Sequence, residues 1–372
     1  MKKKQTPARE LCITGAGLAT SVGHDYITAC ASIRAGLRRS KKLNNYYVES
    51  KEGYDDNDDG LVSGHPVLEG DYDDMKSRMF TLLSMALNDL VENAGLDESQ
   101  MAETPLYLAF PERDRVTIEN PEINDLIQTH SHMVFSESGF RTYFNGHAGM
   151  IIALSEAAKN IRDGLYNRVL IAGTDSLIGF NDLSRYEKQE RLKTILNTDG
   201  FNPGEAASAI LIEIPETALK RKAGIKCIIR SISTAHEDQP VLSGKLSNGT
   251  GLAKAVTGLM DHEKNTPVSA EAVISDMNGE PYRFSEWAMI QPGIMNRITG
   301  EKKLIYPARN IGDTGAASSG IALCIAARAM EKGYLSKDPE NRAGQAMILS
   351  SSDTGERGAV LIGPYKKDEQ VD

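Results

Sequence analysis

A glycine-rich turn, an apolar helix, a glycine stop and a short buried strand occur in that order twice in this chain of 372 residues. The first copy is Gly146-His147-Ala148-Gly149-Met150-Ile151-Ile152-Ala153-Leu154, which runs to Gly164 and resumes as Arg168-Val169-Leu170-Ile171-Ala172-Gly173-Thr174-Asp175. The second is Gly312-Asp313-Thr314-Gly315-Ala316-Ala317-Ser318-Ser319-Gly320, then Ile321-Ala322-Leu323-Cys324-Ile325-Ala326, a stop at Gly333 and the strand Ala346-Met347-Ile348-Leu349-Ser350. A helix that is apolar nearly all round belongs in the middle of a molecule, and self-similarity at long period points to a duplicated architecture. In this reading His147 and Asp313 fall at matching positions, each at the N-terminus of a buried helix. Such an end offers free N–H groups and a positive dipole, which suit an anion, a thiolate or a carboxylate. The same turns also serve the plainer purpose of letting two core helices pack closely.

Buried strands alternate with helices along the rest of the chain, which predicts an α/β protein with mixed sheets. The halves divide at about residue 215, giving 1–215 and 216–372. Residues 11–20 form a strand entering the turn Gly15-Ala16-Gly17. That turn lacks the third glycine and the later acidic residue of a dinucleotide loop, so no cofactor is called for. An acidic, tyrosine-rich insert over about 41–74 includes Asp55-Asp56-Asn57-Asp58-Asp59-Gly60. It lacks the later glutamate of a calcium loop and reads as a solvated, mobile excursion. The loop Met277-Asn278-Gly279-Glu280-Pro281-Tyr282-Arg283 follows a strand at 272–276.

Charge and length set further bounds. A net charge of -9 disfavours a nucleic-acid partner, and no run reaches the apolar length of a membrane span. Four scattered cysteines (Cys12, Cys30, Cys227, Cys324) show neither paired nor metal-type spacing, which fits a cytoplasmic protein.

Taken together, Ile13-Thr14-Gly15-Ala16-Gly17, the first glycine-turn helix with Ala172-Gly173-Thr174-Asp175, Asp199-Gly200-Phe201 with Gly204-Glu205-Ala206, and the 312–320 element resemble the β-ketoacyl synthases of the thiolase-like fold. The resemblance covers nearly the whole chain. It implies two duplicated αβαβα halves with two mixed sheets that meet at two buried helices. It also implies a homodimer or a heterodimer with a ketosynthase relative, and an acyl carrier protein as a possible partner. The family's chemistry needs a nucleophilic cysteine on the first central helix and two histidines in the second half. Here His147 takes the place of the cysteine, Asp276 that of the first histidine and Asp313 that of the second. Asn278, Glu280 and Arg309 stand nearby as candidate binding residues. No cysteine lies between Cys30 and Cys227, and Cys30 itself comes far too early.

Three functions follow as expectations. The first is a pseudoenzyme acting as a partner subunit or adaptor through protein contacts. The second is an acyl-thioester enzyme in which an oriented, neutral His147 acts as general base with Asp276 or Asp313. The third is a binder of acyl chains or acyl carriers whose old tunnel stays open. The spacing of the carboxylates offers no tight metal motif.

Overall fold

The computed structural model describes residues 10–49, 60–131, 139–260, 270–295, 303–335 and 344–365. Its strands, in chain order, are β1 (Leu11–Ala19), β2 (Lys41–Tyr47), β3 (Leu61–Gly64), β4 (Leu106–Ala109), β5 (Arg141–Tyr143), β6 (Arg168–Ser176), β7 (Glu205–Glu213), β8 (Cys227–His236), β9 (Ala272–Ser275), β10 (Lys303–Ile305), β11 (Ala346–Ser351) and β12 (Glu356–Gly363). Ten of them form a sheet in the order β10-β9-β11-β12-β8-β1-β7-β6-β4-β5.

That order is its own mirror image. From the centre outward, each side runs antiparallel, antiparallel, parallel, parallel: β1-β7-β6-β4-β5 on one side and β8-β12-β11-β9-β10 on the other. The duplication suggested by the two glycine turns is therefore present in the strand pairing. The sides do not stay apart as two sheets. Leu11, Cys12 and Ile13 of β1 pair with Ile229, Ile228 and Cys227 of β8, so the sheet is continuous.

The central helices, Gly149–Arg162 and Ser318–Lys332, explain their own composition. The first packs on β4, β5 and β6 of its own side and on β8 and β12 of the other. The second packs on β9 and β11 and also on β1 and β7. Covered on both faces, they keep Met150, Ile151, Ala153, Leu154, Leu323 and Ala326 fully buried. Helix Met75–Ala94 forms an outer layer over β1, β6 and β7, and helix Thr250–Thr257 does so over β8 and β12.

Each central helix is entered through a single turn of 3-10 helix, Gly146–Ala148 and Gly315–Ala317. Gly146 and Gly315 have φ of +50° and +49°, a region that costs little only without a Cβ. These turns also correct the register of the repeat. With Gly146 matched to Gly315, His147 matches Ala316, and Asp313 stands three residues upstream. A Cβ on Gly315 would overlap the Asp175 carboxylate, whereas one on Gly164, at φ +79°, would meet nothing. We expect Gly315→Ala to cost more than the roughly 1–3 kcal/mol of backbone strain alone, and Gly164→Ala to cost less than Gly315→Ala. Thermal denaturation of both variants checks the order.

The insert differs from expectation. β2 and β3 pair, and Leu43, Tyr46, Val48 and Val62 bury themselves against Leu177, Ile178, Leu183, Tyr186 and Phe201. Downstream, Glu205 accepts from the Val67 and Leu68 amides and from the buried Arg78 guanidinium, which fixes the segment to β7. Alternating tyrosine and leucine among the charges let this stretch cover a second small core, so the described part is not a solvated excursion. The aspartate run at 55–59 lies outside the described residues.

Candidate functional site

Five separate connections converge where the two central helices begin. His147 is the middle residue of the first 3-10 turn, and Asp313 lies just before the second. Asp276 and Asn278 follow β9, Asp353 follows β11, and Arg191 follows helix Phe180–Lys188. The stretch read as a loop through Arg283 is shorter than expected. Pro281 opens helix Pro281–Met295, as a residue with fixed φ and no N–H does well at a first helical position. Arg283 therefore projects from a first helical turn instead of from a loop.

His147 Nε2 lies 2.8 Å from Asp313 Oδ1. The same oxygen accepts from the Gly315 amide at 2.9 Å, and Oδ2 accepts from Asn278 Nδ2 at 2.6 Å. Arg283 Nη2 lies 3.4 Å from His147 Nδ1 and 3.3 Å from Nε2. The rest of that guanidinium reaches Asp276 at 3.2 Å, Glu280 at 3.3 Å, Asp353 at 3.3 Å and the Ser351 carbonyl at 2.6 Å. Behind it, Arg191 makes two hydrogen bonds to Glu280, at 2.5 and 3.2 Å, and two to Asp353, at 2.7 and 3.0 Å. His147, Asp313, Arg283 and Glu280 are each 5% exposed or less.

The free helix ends expected of this region are already satisfied. Ala148 N–H donates to Ser352 Oγ, Gly315 N–H to Asp313, and Ala316 N–H to Asp175. Asp175 is in turn gripped by Arg115 through two hydrogen bonds of 3.0 Å. Carboxylates do seek the second helix end, as the dipole argument requires. They belong to the protein itself.

Electrostatics decide the state of the imidazole. Burial alone would lower the His147 pKa, but the Asp313 carboxylate outweighs burial and the neighbouring Arg283, raising it to about 9. Asp313 moves the other way: burial opposes its charge, yet His147 and Arg283 hold it well below the ordinary carboxylate range. Asp353 is likewise held low against burial by Arg191 and Arg283. The shift favours the protonated ring, an imidazolium paired with the Asp313 carboxylate. The expected neutral general base is not what this geometry makes, because the nearby carboxylates outnumber the guanidiniums and favour a further cation.

Glu112, after β4, adds a proton on the outer side. Burial first, and Asp353 second, raise its pKa to about 7. Its Oε1 has no hydrogen-bond partner, as a partly protonated carboxyl tolerates better than a carboxylate does. Beside it, a narrow depression bounded by Arg115, Tyr186, Arg191, Leu242 and Asp353 holds about 10 Å³, room for about one water.

The sequence-derived residues divide as follows. His147, Asp313, Asn278 and Glu280 come together in one hydrogen-bonded network. Asp276 joins it only through Arg283, and its Oδ2 otherwise accepts from Ser350 Oγ and the Ser351 amide. Arg309 does not belong: it is exposed and lines a separate cavity with Arg34, Arg38 and Lys303. It sits on a four-residue helix (Ala308–Ile311) whose buried residues are Asn310 and Ile311, so its side chain turns outward. Arg283, Arg191, Asp353 and Glu112 escaped the sequence reading. Their signal was charge inside stretches otherwise destined for burial, such as Leu349-Ser350-Ser351-Ser352-Asp353. Cys30, by contrast, is buried and its thiol is pushed up to about 12 by that burial, so it is an inert packing residue.

Solved structures place this architecture. A ketosynthase/chain length factor, described as that of ishigamide, superposes with a TM-score of 0.74 at 16% identity, over 96% of this chain and 100% of that one. The chain has the ketosynthase fold. An oxazolomycin ketosynthase domain of Streptomyces albus JA3453 matches with a TM-score of 0.73 at 12% identity, over 98% of this chain and 75% of its own. A type II PKS ketosynthase solved with its acyl-carrier protein and bound to the hexaketide matches with a TM-score of 0.71 at 16% identity, over 96% and 100%. No family model matches the sequence, and no curated protein matches it. On this ketosynthase fold, no helix among the described residues is long and apolar enough to cross a membrane.

Proposed function

We propose that this chain is a ketosynthase-like subunit that works through protein contacts and forms no carbon–carbon bonds. The observation that carries the reading is Arg283. Its guanidinium contacts His147, Asp276 and Asp353, and so occupies the space between two of the positions that the resemblance matches to the family's catalytic residues. A buried, charge-paired arginine is held by several kcal/mol of mutual attraction and does not move aside for a neutral acyl group. No thiol is present at the helix end either.

Acyl-thioester chemistry with His147 as base needs a neutral ring with one open nitrogen beside a cavity. The ring is instead paired with Asp313 on one side and faced by Arg283 on the other. A retained acyl tunnel would need volume at His147. Two cavities among the described residues, of about 610 and 520 Å³, lie elsewhere, one lined by residues between 248 and 260 with Met289, Ile290 and Gly293, the other by the Arg309 region. The fold relatives include a ketosynthase/chain length factor and a ketosynthase in complex with an acyl-carrier protein. They support a partner that is a second such subunit, of its own kind or a ketosynthase relative, with an acyl carrier protein as a further candidate.

The test is incubation of the purified chain with acyl and malonyl thioesters, followed by intact-mass measurement and product analysis. We expect no covalent adduct and no elongated product, and co-purification of a second ketosynthase-type chain from the native cell. Elongation of malonyl units, or turnover lost in His147→Gln, overturns the proposal.

A further inference from the structure

A cavity of about 520 Å³, lined by none of the charged cluster's residues, lies between three segments. The end of helix Tyr26–Arg34 and the turn after it supply Arg34 and Arg38. β10 and the connection beyond it supply Lys303, Tyr306 and Arg309. The middle of helix Ser318–Lys332 supplies Ile325, and the stretch after it supplies Tyr334 and Leu335. Its volume is that of an ordinary small-molecule site.

Two features point to the chemistry of an occupant. The first is charge. Four cations (Arg34, Arg38, Lys303, Arg309) converge on one cavity in a chain whose net charge is -9. None of the four has a carboxylate partner among the described residues. Arg34 lies instead with its guanidinium carbon 4.1 Å over the Tyr334 ring, and both line the cavity. The buried or half-buried Arg78, Arg115, Arg191 and Arg221 are paired with Glu205, Asp175, Glu280 and Glu213, whereas the four cations at the cavity are exposed. The second feature is the floor. Ile33, Ile325 and Leu335 are buried yet line the cavity, and Tyr306 and Tyr334 flank it half-buried.

We propose that this cavity binds a phosphate ester carrying a hydrocarbon arm. A dianionic head answers four positive charges better than a carboxylate does, and arginine forks match phosphate oxygens in pairs. The apolar floor takes the arm and removes it from water. The site is independent of the His147 cluster, so it stands or falls separately from the proposed lack of catalysis.

Calorimetric titration of the full chain decides it, with octyl phosphate as the probe and inorganic phosphate, octanoate and octyl glucoside as comparisons. We expect octyl phosphate to bind one to one, at least about tenfold more tightly than each of the other three, and to weaken as salt is raised. The exposed pair Arg38→Glu with Arg309→Glu should lose at least about tenfold in affinity while the circular dichroism spectrum is unchanged. Absence of octyl phosphate binding overturns the proposal, as does binding that the double variant leaves intact. Inorganic phosphate binding as tightly removes the role of the floor, and octanoate binding more tightly removes the phosphate. Either result also overturns it.

Discussion

Replacing Arg283 by methionine is expected to destabilise the protein by about 3–5 kcal/mol, the range for stripping one partner from a buried ion pair. The side chains are similar in length, so the loss is of charge more than of volume. Without the guanidinium, Asp276 keeps only Ser350 Oγ and the Ser351 amide, and Glu280 and Asp353 share the one guanidinium of Arg191, Glu280 also accepting from Asn278 Nδ2. The Ser351 carbonyl also loses its donor. Adding Asp276→Asn should recover part of the loss, because it removes one of the uncompensated charges and the two sites are in contact. Chemical denaturation at neutral pH reads both variants. A cost below about 1 kcal/mol for Arg283→Met, within what an exposed pair is worth, would mean that the cluster is not held by this cation. The plug reading of the site would then fail with it.

Much of the architecture was legible because it rests on local rules. Glycine at the two entry turns is required by positive φ, and apolar residues all round the two helices are required by coverage on both faces. Those two facts carry the duplicated plan. Pairing register was not legible to the residue: matching Gly312 to Gly146 looks reasonable as text, but it is Gly315 that shares the backbone conformation. The insert misled for a related reason. Leu43, Tyr46, Val48 and Val62 are few among many charges, and only the tertiary contact with Phe201 and Ile178 shows that they cover a core.

The site was half legible. A substitution pattern can say which residues occupy given seats, and the fold brings two of those it named, His147 and Asp313, within hydrogen-bond distance. It cannot say which distant cation neutralises them. Arg191 is 89 positions from Glu280 and 162 from Asp353 along the chain, and Arg283 is 136 from His147. Such partners are chosen by the fold, since a buried carboxylate with neither a cation nor hydrogen-bond donors is costly. A carboxylate-rich site on an α/β fold thus predicts that buried arginines exist without telling where they come from. The same argument sorts Arg309, which has no buried carboxylate to meet and faces outward.

The imidazolium of His147 gives the protein an alkaline weakness that can be measured. Its folded pKa of about 9 lies above the ordinary value of 6.5, so its contribution is complete below about pH 6.5 and is lost as pH rises through 9. The interval corresponds to about 3 kcal/mol at 1.36 kcal/mol per pH unit. Asp313 reports the same interaction from the acid side: its pKa is depressed, so stability is present above about pH 3.8 and is lost as pH falls below that. The two must not be added, because one ion pair underlies both. Glu112 contributes a separate step, with a pKa raised from 4.5 to about 7, so that stability falls with rising pH across that window. The expected profile is a plateau near pH 4–5, a decline to pH 7 that Glu112→Gln removes, and a further decline to pH 9 that His147→Gln removes. The glutamine amide can still donate to Asp313, so the variant should fold while losing the upper slope. Urea denaturation from pH 5 to 10 measures it. An unchanged slope between pH 7 and 9 in His147→Gln would show that the ring is neutral in the folded protein, and would return it to consideration as a base.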